Sequence, residues 1–333
     1  MKRRACLTGI LLFLTALSAS PAISEPSSIR MGTQFGLTYL PFAVMEHEKL
    51  IEKQAKARGI GDVQVKWLRS AGGNVMNDAL LSGDLDFVAT GFPSFLVLWA
   101  RGKGKFDIKA LSSYGTTPLM LLTRDPNVKS IADFSNKNRI AVPAVKSSIQ
   151  AILIQMAAEK QFGRFDKLDE LTISRSHPDA AAALLSGVGE VDSHFSAPPY
   201  QYQELDRPGV RLVTTSNEIF GGPLSNGVLY LTTKFHDANP KTIAAVNAAL
   251  REALELISRD KRRALEMYLA VSGDKISVEE ALRTVSDQNT IFDAVPRGTM
   301  RYAEFMKRTG GVALAPKDWK EIFFVEAHDL PGN

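Results

Sequence analysis

The sequence predicts an α/β protein built from two lobes of similar construction. A five-residue segment, Ala-Leu-Leu-Ser-Gly, occurs twice, at residues 79–83 and at residues 183–187. In both copies a short Ala- and Leu-rich helix ends on this glycine, and a short apolar strand with an acidic residue follows. Glycine is suited to the left-handed conformation in which many helices end. Because the surrounding strands, loops and helices repeat in the same order, we interpret the segments as copies of one unit, one in each lobe.

The first copy of the unit contains three strands that alternate with helices. Apolar runs predict strands over residues 29–35 and 63–68, separated by a helix over residues 40–58 that ends at a glycine. A Gly-Gly loop then leads into the first Ala-Leu-Leu-Ser-Gly helix, for which Asn74 is the expected N-cap. The third strand ends in a loop with proline and serine at residues 90–94. This order is typical of successive βα units in a parallel sheet.

The second copy repeats the same order of elements. A strand is predicted over residues 139–143, a helix over residues 149–162, and a second strand over residues 171–174. Asp179 is the expected N-cap of the second Ala-Leu-Leu-Ser-Gly helix, and the third strand ends in a Ser-Ala-Pro-Pro loop. The two copies therefore predict two sheets, each with helices packed against it.

Two breaks in the pattern predict that the chain crosses between the lobes twice. After a fourth strand (108–113) and a fifth (119–123), Arg-Asp-Pro-Asn at residues 124–127 indicates a crossing into the second lobe. Phe-Gly-Gly-Pro at residues 220–223 marks the return, and a strand over residues 228–232 follows. The predicted division is a first lobe over 25–122, a second lobe over 123–224, and a return to the first lobe over 225–333.

The remainder of the chain is predicted to be helical and to pack on the first lobe. Apolar residues recur at helical spacing from Ile243 to Ile257, which marks a buried helix face. The expected helices cover residues 240–259, 262–270, 278–292, 297–308 and 317–328.

Residues 1–24 have the pattern of a secretory signal peptide. Lys2, Arg3 and Arg4 precede an apolar run at residues 5–17, and small residues follow up to Ser24. A membrane anchor would need about 20 apolar residues, more than this run provides. We therefore expect cleavage before Glu25, no lipid anchor, and a mature protein in the periplasm.

The composition is that of an ordinary globular protein, and a chain of 333 residues accommodates two domains. The formal net charge of +4 falls to +1 without residues 1–24, which hold three basic and no acidic residues. No basic stripe therefore argues for nucleic-acid binding. The only cysteine, Cys6, lies in the predicted signal peptide, so no disulfide or cysteine ligand is expected in the mature protein.

Catalytic, metal and cofactor sites are not expected. The five histidines are scattered without a pair at helical metal-ligand spacing, and the sequence has no Gly-x-Ser-x-Gly motif. Asp86 and Asp192 are the one pair of matched acids, but they lie at equivalent strand positions, which favours a structural role.

The candidate ligand site lies in six loops, three from each lobe. Ligands of open α/β sheets bind beyond the carboxyl ends of the strands, where these loops lie. Helix N-termini in the loops favour anionic or carbonyl groups, and aromatic side chains favour an organic body. The candidate contacts are Phe35, Thr38, Tyr39, Gly73, Asn74, Thr90, Gly91, Pro93, Ser94, Tyr114, Ser147, Ser148, His177, Ser196, Pro198 and Asn226.

Several candidates also have structural interpretations. Ser147 or Ser148 caps the following helix, and the Gly72–Gly73 pair serves either close ligand approach or a tight turn. The prolines shape their loops, and a turn role is an alternative for Asn226. Arg175 with His177 forms the one basic pair in a predicted site loop, and a solvated loop is the favoured interpretation. Facing inward, they would select a carboxylate or sulfonate, with Lys146 as a substitute.

The order of these motifs resembles the periplasmic solute-binding proteins of ABC importers. It is most similar to the nitrate, sulfonate and taurine group, which also includes binders of thiamine-precursor pyrimidines. The resemblance rests on the signal peptide, the Gly-Gly loop, both Leu-Leu-Ser-Gly segments and the Ile-Ala-Asp-Phe and Arg-Ile-Ala-Val-Pro segments, and covers roughly residues 28–310. It implies a type II fold with two mixed sheets and two crossing segments, a ligand clamped between the lobes, and delivery to a membrane permease. We expect a monomer.

Three functions remain to be distinguished. The leading hypothesis is a non-catalytic receptor for a small organic anion, with sulfonates and aromatic carboxylates ahead of pyrimidines. An enzyme on the same scaffold, such as a lyase or a pyrimidine-forming enzyme, is the alternative from another class. A ligand sensor that docks on a membrane kinase is the third.

Overall fold

The computed structural model describes residues 25–70 and 72–333. The predicted signal peptide, with Cys6, lies outside the described residues. Within the described part of the chain, no helix is both long enough and apolar enough to cross a membrane.

Ten strands in the described residues form two five-stranded sheets, as the repeated units predict. The strands are β1 (Ser28–Thr33), β2 (Gln64–Arg69), β3 (Phe87–Gly91), β4 (Ile108–Ser113), β5 (Met120–Thr123), β6 (Ile140–Val142), β7 (Thr172–Ser174), β8 (Ser193–Ser196), β9 (Arg211–Thr215) and β10 (Gly227–Thr232). The first sheet has the order β2-β1-β3-β10-β4, and the second has the order β7-β6-β8-β5-β9. Both sheets are mixed, and both have the same topology.

The direction of the strands shows how the duplication is built. In the first sheet β1 is parallel to β2 and β3, whereas β10 is antiparallel to β3 and β4. In the second sheet β6 is parallel to β7 and β8, whereas β5 is antiparallel to β8 and β9. The antiparallel strand of each sheet is therefore the first strand that the chain forms after crossing from the other lobe.

This topology corrects the predicted position of the first crossing. The sequence placed the strand at residues 119–123 in the first lobe, but β5 pairs with β8 and β9 of the second sheet. The chain thus passes between the sheets at residues 114–119, before β5, and returns through residues 221–226. An isolated apolar strand carries no sequence signal for the sheet it joins, because both sheets offer it a similar buried position.

Thirteen α-helices cover the faces of the two sheets in the described residues. They are α1 (Leu40–His47), α2 (Leu50–Ala57), α3 (Gly73–Ser82), α4 (Phe92–Gly102), α5 (Ile149–Phe162), α6 (His177–Ser186), α7 (Tyr200–Leu205), α8 (Ser216–Phe220), α9 (Thr233–Ala238), α10 (Pro240–Arg259), α11 (Lys261–Ser272), α12 (Val278–Ser286) and α13 (Thr299–Arg308). As predicted, the C-terminal helices return to the first lobe, where α10 packs on α1 and α2, α11 packs on α1, and α13 packs on α4.

Two buried apolar clusters hold these layers together. One lies between the first sheet and its outer helices and includes Ile29, Ile51 and Val246. The other runs from the inner helix α4 of the first lobe into α5 of the second and includes Phe92 and Ile152. The lobes therefore share a continuous apolar contact on one side of the gap between them.

The C-terminal ends of α3 and α6 agree with the prediction from the sequence, but their N-caps do not. Gly83 and Gly187 end α3 and α6 in the left-handed conformation, at φ values of 80° and 69°. The predicted caps Asn74 and Asp179 are wrong, because both residues lie inside the first turn. Ser176 caps α6 instead, and its hydroxyl accepts the Asp179 N–H at 3.3 Å.

Two predicted helices are interrupted in the structure. The helix expected over residues 40–58 is divided into α1 and α2 by Lys49, which has a φ of 51°. The helix expected over residues 317–328 forms only two 3₁₀ turns, Trp319–Ile322 and Val325–Ala327. Between these turns the backbone is extended, because Phe324 donates its N–H to the Ala110 carbonyl of β4 at 2.8 Å. Pairing with the sheet edge thus replaces helical hydrogen bonds here.

Candidate functional site

A cavity with about 450 Å³ of empty space, part of it open to solvent, lies between the two lobes. Its size is within the range of small-molecule sites. Residues from both sheets' loops form its walls. The lining residues are Gln34, Thr38, Tyr39, Gly73, Gly91, Ser94, Leu119, Pro143, Ser148, Ile149, Gln150, His177, Ala197 and Asn226.

All six of the loops that the sequence singled out reach this cavity. Thr38 and Tyr39 lie after β1, Gly73 lies after β2, Gly91 is the last residue of β3, and Ser94 lies after it. In the second lobe, Ser148 lies after β6, His177 after β7, and Ala197 after β8. The common topology of the sheets explains this convergence, because equivalent strand ends of the two lobes face each other.

The loops also bond directly across the gap. Leu37 donates its N–H to the Pro198 carbonyl at 2.8 Å, and the Ser94 hydroxyl donates to the Ser147 carbonyl at 3.0 Å. The Tyr200 hydroxyl of α7 donates to Asp274, which follows α11, at 2.8 Å. These bonds join the lobes at the edges of the cavity, which corresponds to a closed arrangement.

Glycine is required at two positions of the cavity wall. A Cβ atom at Gly73 would lie 2.5 Å from the Ser94 hydroxyl oxygen, and one at Gly91 would lie 3.0 Å from Ile149. Gly73 thus lets the N-termini of α3 and α4 approach each other, and Gly91 lets the lobes approach. Close packing, rather than a turn alone, explains these glycines.

Four helix N-termini point toward the cavity. The first residue of α3, the N-cap residue of α4, the N-cap residue of α5 and the first residue of α6 all line it. Helix N-termini carry unpaired N–H groups and a partial positive charge, so they attract anionic or carbonyl oxygens. Among the described residues, no Lys, Arg, Asp or Glu lines this cavity. The groups of this wall that would attract an anion are therefore backbone N–H groups rather than cationic side chains.

Ser148 and Ser147 have different roles in the structure. Ser148 is the N-cap of α5, and its hydroxyl oxygen accepts the Ala151 N–H at 3.2 Å while the residue lines the cavity. The Ser147 hydroxyl instead donates to the Asn74 side-chain oxygen at 3.3 Å, outside the cavity. Ser148 can cap the helix and still donate its own hydrogen to a ligand.

His177 is the one titratable imidazole in the cavity wall among the described residues. It is buried, and burial together with the nearby His194 holds the pKa of His177 well below its ordinary value of 6.5. The ring is therefore neutral at physiological pH. Its Nε2 atom lies 3.2 Å from the Gln150 side-chain nitrogen.

The other basic candidates do not face the cavity. Arg175 is exposed and lies 3.8 Å from Glu190. Lys146 is also exposed and borders a different surface depression, beside α3. Arg175 and Lys146 are therefore solvated, as the sequence favoured for this loop, and neither lines the cavity.

Eight of the sixteen predicted contacts line the cavity, and eight do not. Thr90, Tyr114 and Ser196 are fully buried in the lobes, since they sit on or next to strands rather than in the loops. Phe35 lies in a separate depression of the first lobe, and Pro93 is in the first turn of α4. The remaining three, Asn74, Ser147 and Pro198, make the contacts between lobes described above.

Asn226 borders the cavity, but its amide is used within the crossing segments. Its oxygen accepts the Thr117 hydroxyl at 2.9 Å, and its nitrogen donates to the Thr117 carbonyl at 3.0 Å. The Asn226 N–H also donates to the Gly115 carbonyl at 3.0 Å. Asn226 therefore ties the two crossing segments together, which favours its structural interpretation.

Sequence reasoning missed two polar lining residues, Gln34 and Gln150. Gln34 follows β1, and its side-chain oxygen accepts the Tyr39 hydroxyl at 2.7 Å. Gln150 is in the first turn of an otherwise apolar stretch of α5 and is buried. A glutamine within a run of buried apolar residues was the available signal, because such an amide requires partners.

Comparisons with known proteins agree with this geometry. The alkanesulfonate-binding protein SsuA from Xanthomonas axonopodis pv. citri, bound to MOPS, is 21% identical with a TM-score of 0.70, covering 88% of this chain and 96% of that chain. The aliphatic sulphonate-binding protein SsuA from Escherichia coli is 19% identical with a TM-score of 0.67, covering 92% and 100%. The nitrate-binding protein NrtA from Synechocystis PCC 6803 is 16% identical with a TM-score of 0.67, covering 93% and 86%.

These similarities establish the fold. No curated protein sequence matches the chain. Residues 22–271, three quarters of the sequence, match the NMT1-like family. The chain therefore has the two-lobed fold of periplasmic binding proteins and belongs to the NMT1-like family.

Proposed function

We propose that this protein is the periplasmic solute-binding component of an ABC importer, which captures a small organic solute between its lobes and delivers it to a membrane permease. The observation that carries the proposal is the cavity between the lobes, to which all six predicted loops contribute. The signal-peptide pattern of residues 1–24 supports export to the periplasm. The similarity to sulfonate- and nitrate-binding proteins supports the same role.

The chemistry of the cavity limits the charge of the solute. Four helix N-termini favour an anionic or carbonyl group, but no cationic side chain of the described residues lines the cavity to balance a second charge. We therefore propose a ligand with at most one negative charge, such as a sulfonate or an aromatic carboxylate. A pyrimidine is the second candidate, because its carbonyl or ring nitrogen atoms suit the same helix ends without any net charge.

The arrangement supports binding rather than catalysis. Asp86 and Asp192, the acids that an enzyme hypothesis would use, accept backbone N–H groups at the first strand of each repeated unit and do not line the cavity. Among the described residues, the His177 ring bonds to Gln150 and His194, and neither of these is a hydroxyl nucleophile that it could activate. We propose that the ligand leaves the protein chemically unchanged.

A thermal-shift panel tests this function. Mature protein is heated with sulfonates, aromatic carboxylates, pyrimidines, sugars, polyamines and metal cations. We expect stabilisation by a member of the first three groups, because binding to the native state raises the unfolding temperature. Stabilisation by a sugar or a cation alone contradicts the proposed ligand class. Mass spectrometry of the recovered compound checks that it is unchanged, and a chemically altered compound supports the enzyme hypothesis.

A further inference from the structure

A row of hydrogen-bonded side chains leads from the cavity wall into the interior of the second lobe. The Nδ1 atom of His177 lies 2.9 Å from Nε2 of His194. The Nδ1 atom of His194 lies 2.6 Å from a carboxylate oxygen of Glu204. At the other end, Nε2 of His177 faces Gln150 at the cavity. We call Glu204, His194 and His177 the histidine relay.

The relay is closed off from water except at its cavity end. The side chains of His194 and Glu204 are 0% exposed, and His177 is 8% exposed. The three residues come from α7, β8 and α6, and the Tyr200 ring stacks on His177 at 6.2 Å between ring centres. Three separate elements therefore converge to hold these side chains, which distinguishes the relay from a chance surface contact.

Glu204 sets the direction of every hydrogen bond in the row. A carboxylate oxygen accepts hydrogen bonds, so in this arrangement His194 donates from Nδ1 to Glu204 and keeps a lone pair on Nε2. His177 then donates from Nδ1 to that lone pair, and its own Nε2 becomes an acceptor. The Gln150 amide, placed with its nitrogen toward Nε2, fits this order. The low pKa of His177 agrees with a neutral ring.

We infer that Glu204 and His194 are positioning residues that fix His177 as its Nδ1–H tautomer, so that the cavity selects a solute that donates an N–H or O–H to His177 Nε2. This inference rests on the proposed function and narrows its ligand. The donor of the solute takes the place of the Gln150 N–H and frees that amide to contact the solute. In serine proteases a buried carboxylate orients a histidine in the same way.

The selected solute carries two kinds of group. An anionic or carbonyl oxygen bonds to the helix N-termini, and an N–H or O–H on the same small body reaches His177. Hydroxy- and amino-sulfonates, hydroxylated aromatic carboxylates and pyrimidines with a ring N–H meet both conditions. Plain alkyl sulfonates and fully N-methylated pyrimidines meet only the first, because they cannot replace the Gln150 N–H at Nε2 and so leave the Gln150 amide bound to His177 instead of to the solute.

The tautomer is tested without any ligand. Nitrogen-15 NMR of the imidazole side chains at neutral pH distinguishes a protonated from an unprotonated ring nitrogen. We expect His177, assigned by its loss in His177→Asn, to show Nδ1 protonated and Nε2 unprotonated. A His177 protonated on Nε2, or on both nitrogens, overturns the inference. This result stands even if no compound of the thermal-shift panel binds, so it is separate from a failure of the proposed function.

A variant tests whether Glu204 is the cause. Glu204→Gln keeps the size of the side chain, but its amide can donate an N–H to His194 as well as accept from it, so we expect the Nε2–H tautomer of His177 to appear beside the Nδ1–H tautomer. Glu190→Gln is the matched control, because Glu190 is an exposed carboxylate of the same lobe, and its spectrum should match the wild type. An unchanged His177 in folded Glu204→Gln overturns the role of Glu204. If that variant does not fold, the wild-type spectrum still decides whether His177 is the Nδ1–H tautomer.

Matched compounds test the selection. Uracil is compared with 1,3-dimethyluracil, and 2-hydroxyethanesulfonate with ethanesulfonate, by calorimetric titration of the wild type. For a pair that binds, we expect the donor-bearing member to bind about tenfold more tightly, the contribution of one additional hydrogen bond between protein and solute. In Glu204→Gln, the ratio of the affinities of the two members of a pair should fall toward one. Equal affinities in the wild type overturn the selection.

Discussion

At the scale of single residues, two neighbouring serines show how local geometry assigns different functions to the same side chain. Ser148 caps α5 and lines the cavity, whereas Ser147 turns toward Asn74 of the other lobe. Ser148→Ala should destabilise the protein by about 1 kcal/mol through the lost cap. It should also weaken ligand binding by about 1–3 kcal/mol if the hydroxyl bonds to the ligand. Urea unfolding and calorimetric titration measure the two effects.

Ser147→Ala is the matched control for this prediction. Its hydroxyl bonds to Asn74 and Val145 rather than to the cavity, so ligand affinity should change by less than about 0.5 kcal/mol. Equal losses of affinity in Ser147→Ala and Ser148→Ala would contradict the prediction that only Ser148 contacts the ligand.

The loops of the site were predictable from the sequence, but the partners inside the lobe were not. His177 was a candidate because it follows a predicted strand, and the structure places it in the cavity wall. His194 and Glu204 were missed, since a histidine in a strand and a glutamate in a polar helix segment carry no sign of mutual contact. Their pairing depends on how α7 packs on β5 and α6, which is tertiary information.

At the scale of elements, the repeated acid after each Leu-Leu-Ser-Gly segment has a structural cause. Asp86 accepts the Arg30 backbone N–H at 2.8 Å, and Asp192 accepts the Arg139 backbone N–H at 3.1 Å. Arg30 lies within β1, and Arg139 immediately precedes β6, the equivalent first strand of the second repeated unit. Each carboxylate therefore holds the first strand of a unit beside the third. This contact confirms the structural interpretation of the two acids.

A substitution at Asp86 measures the strength of this contact. Asp86→Asn keeps the shape but removes the charge that holds the Arg30 backbone and guanidinium, which bonds to Asp86 from Nε at 3.0 Å. The free energy of unfolding should fall by about 1–3 kcal/mol, as for other buried hydrogen bonds to a charged group. Asp84→Asn, at an exposed position on the same turn, should change it by less than about 0.5 kcal/mol. Thermal unfolding at pH 7 compares the two variants.

Element boundaries were predictable where local chemistry decides them. The strand at residues 108–113 and the helix at residues 240–259 have the predicted ends. The C-terminal segment at residues 317–328 differs, because its helical pattern of apolar residues competes with pairing to the edge of β4. Local propensity is a weak preference that a sheet edge can override.

At the scale of the whole molecule, the two crossing segments form one connection between the lobes. Asn226 bonds to Gly115 and Thr117, so the outgoing and returning chains lie side by side. Because β5 and β10 follow the crossings and lie inside the sheets, each lobe is anchored to the connection through its own sheet. We propose that the lobes move as rigid bodies about residues 114–119 and 221–226, the hinge type of closure.

The bond between Tyr200 and Asp274 allows this closure to be tested. Tyr200 belongs to the second lobe and Asp274 to the first, so we expect their bond of 2.8 Å to break when the lobes open. Tyr200→Phe keeps the ring that stacks on His177 but removes the bond, so it should favour the open state and weaken ligand binding by about 1 kcal/mol. Tyr268→Phe is the matched control, because Tyr268 bonds to the same carboxylate from within the first lobe.

Small-angle X-ray scattering should show a smaller radius of gyration with ligand than without it in the wild type. The ligand-free Tyr200→Phe protein should be at least as extended as the ligand-free wild type. Identical scattering with and without a tightly bound ligand contradicts closure, since the contacts across the gap would then persist without a solute.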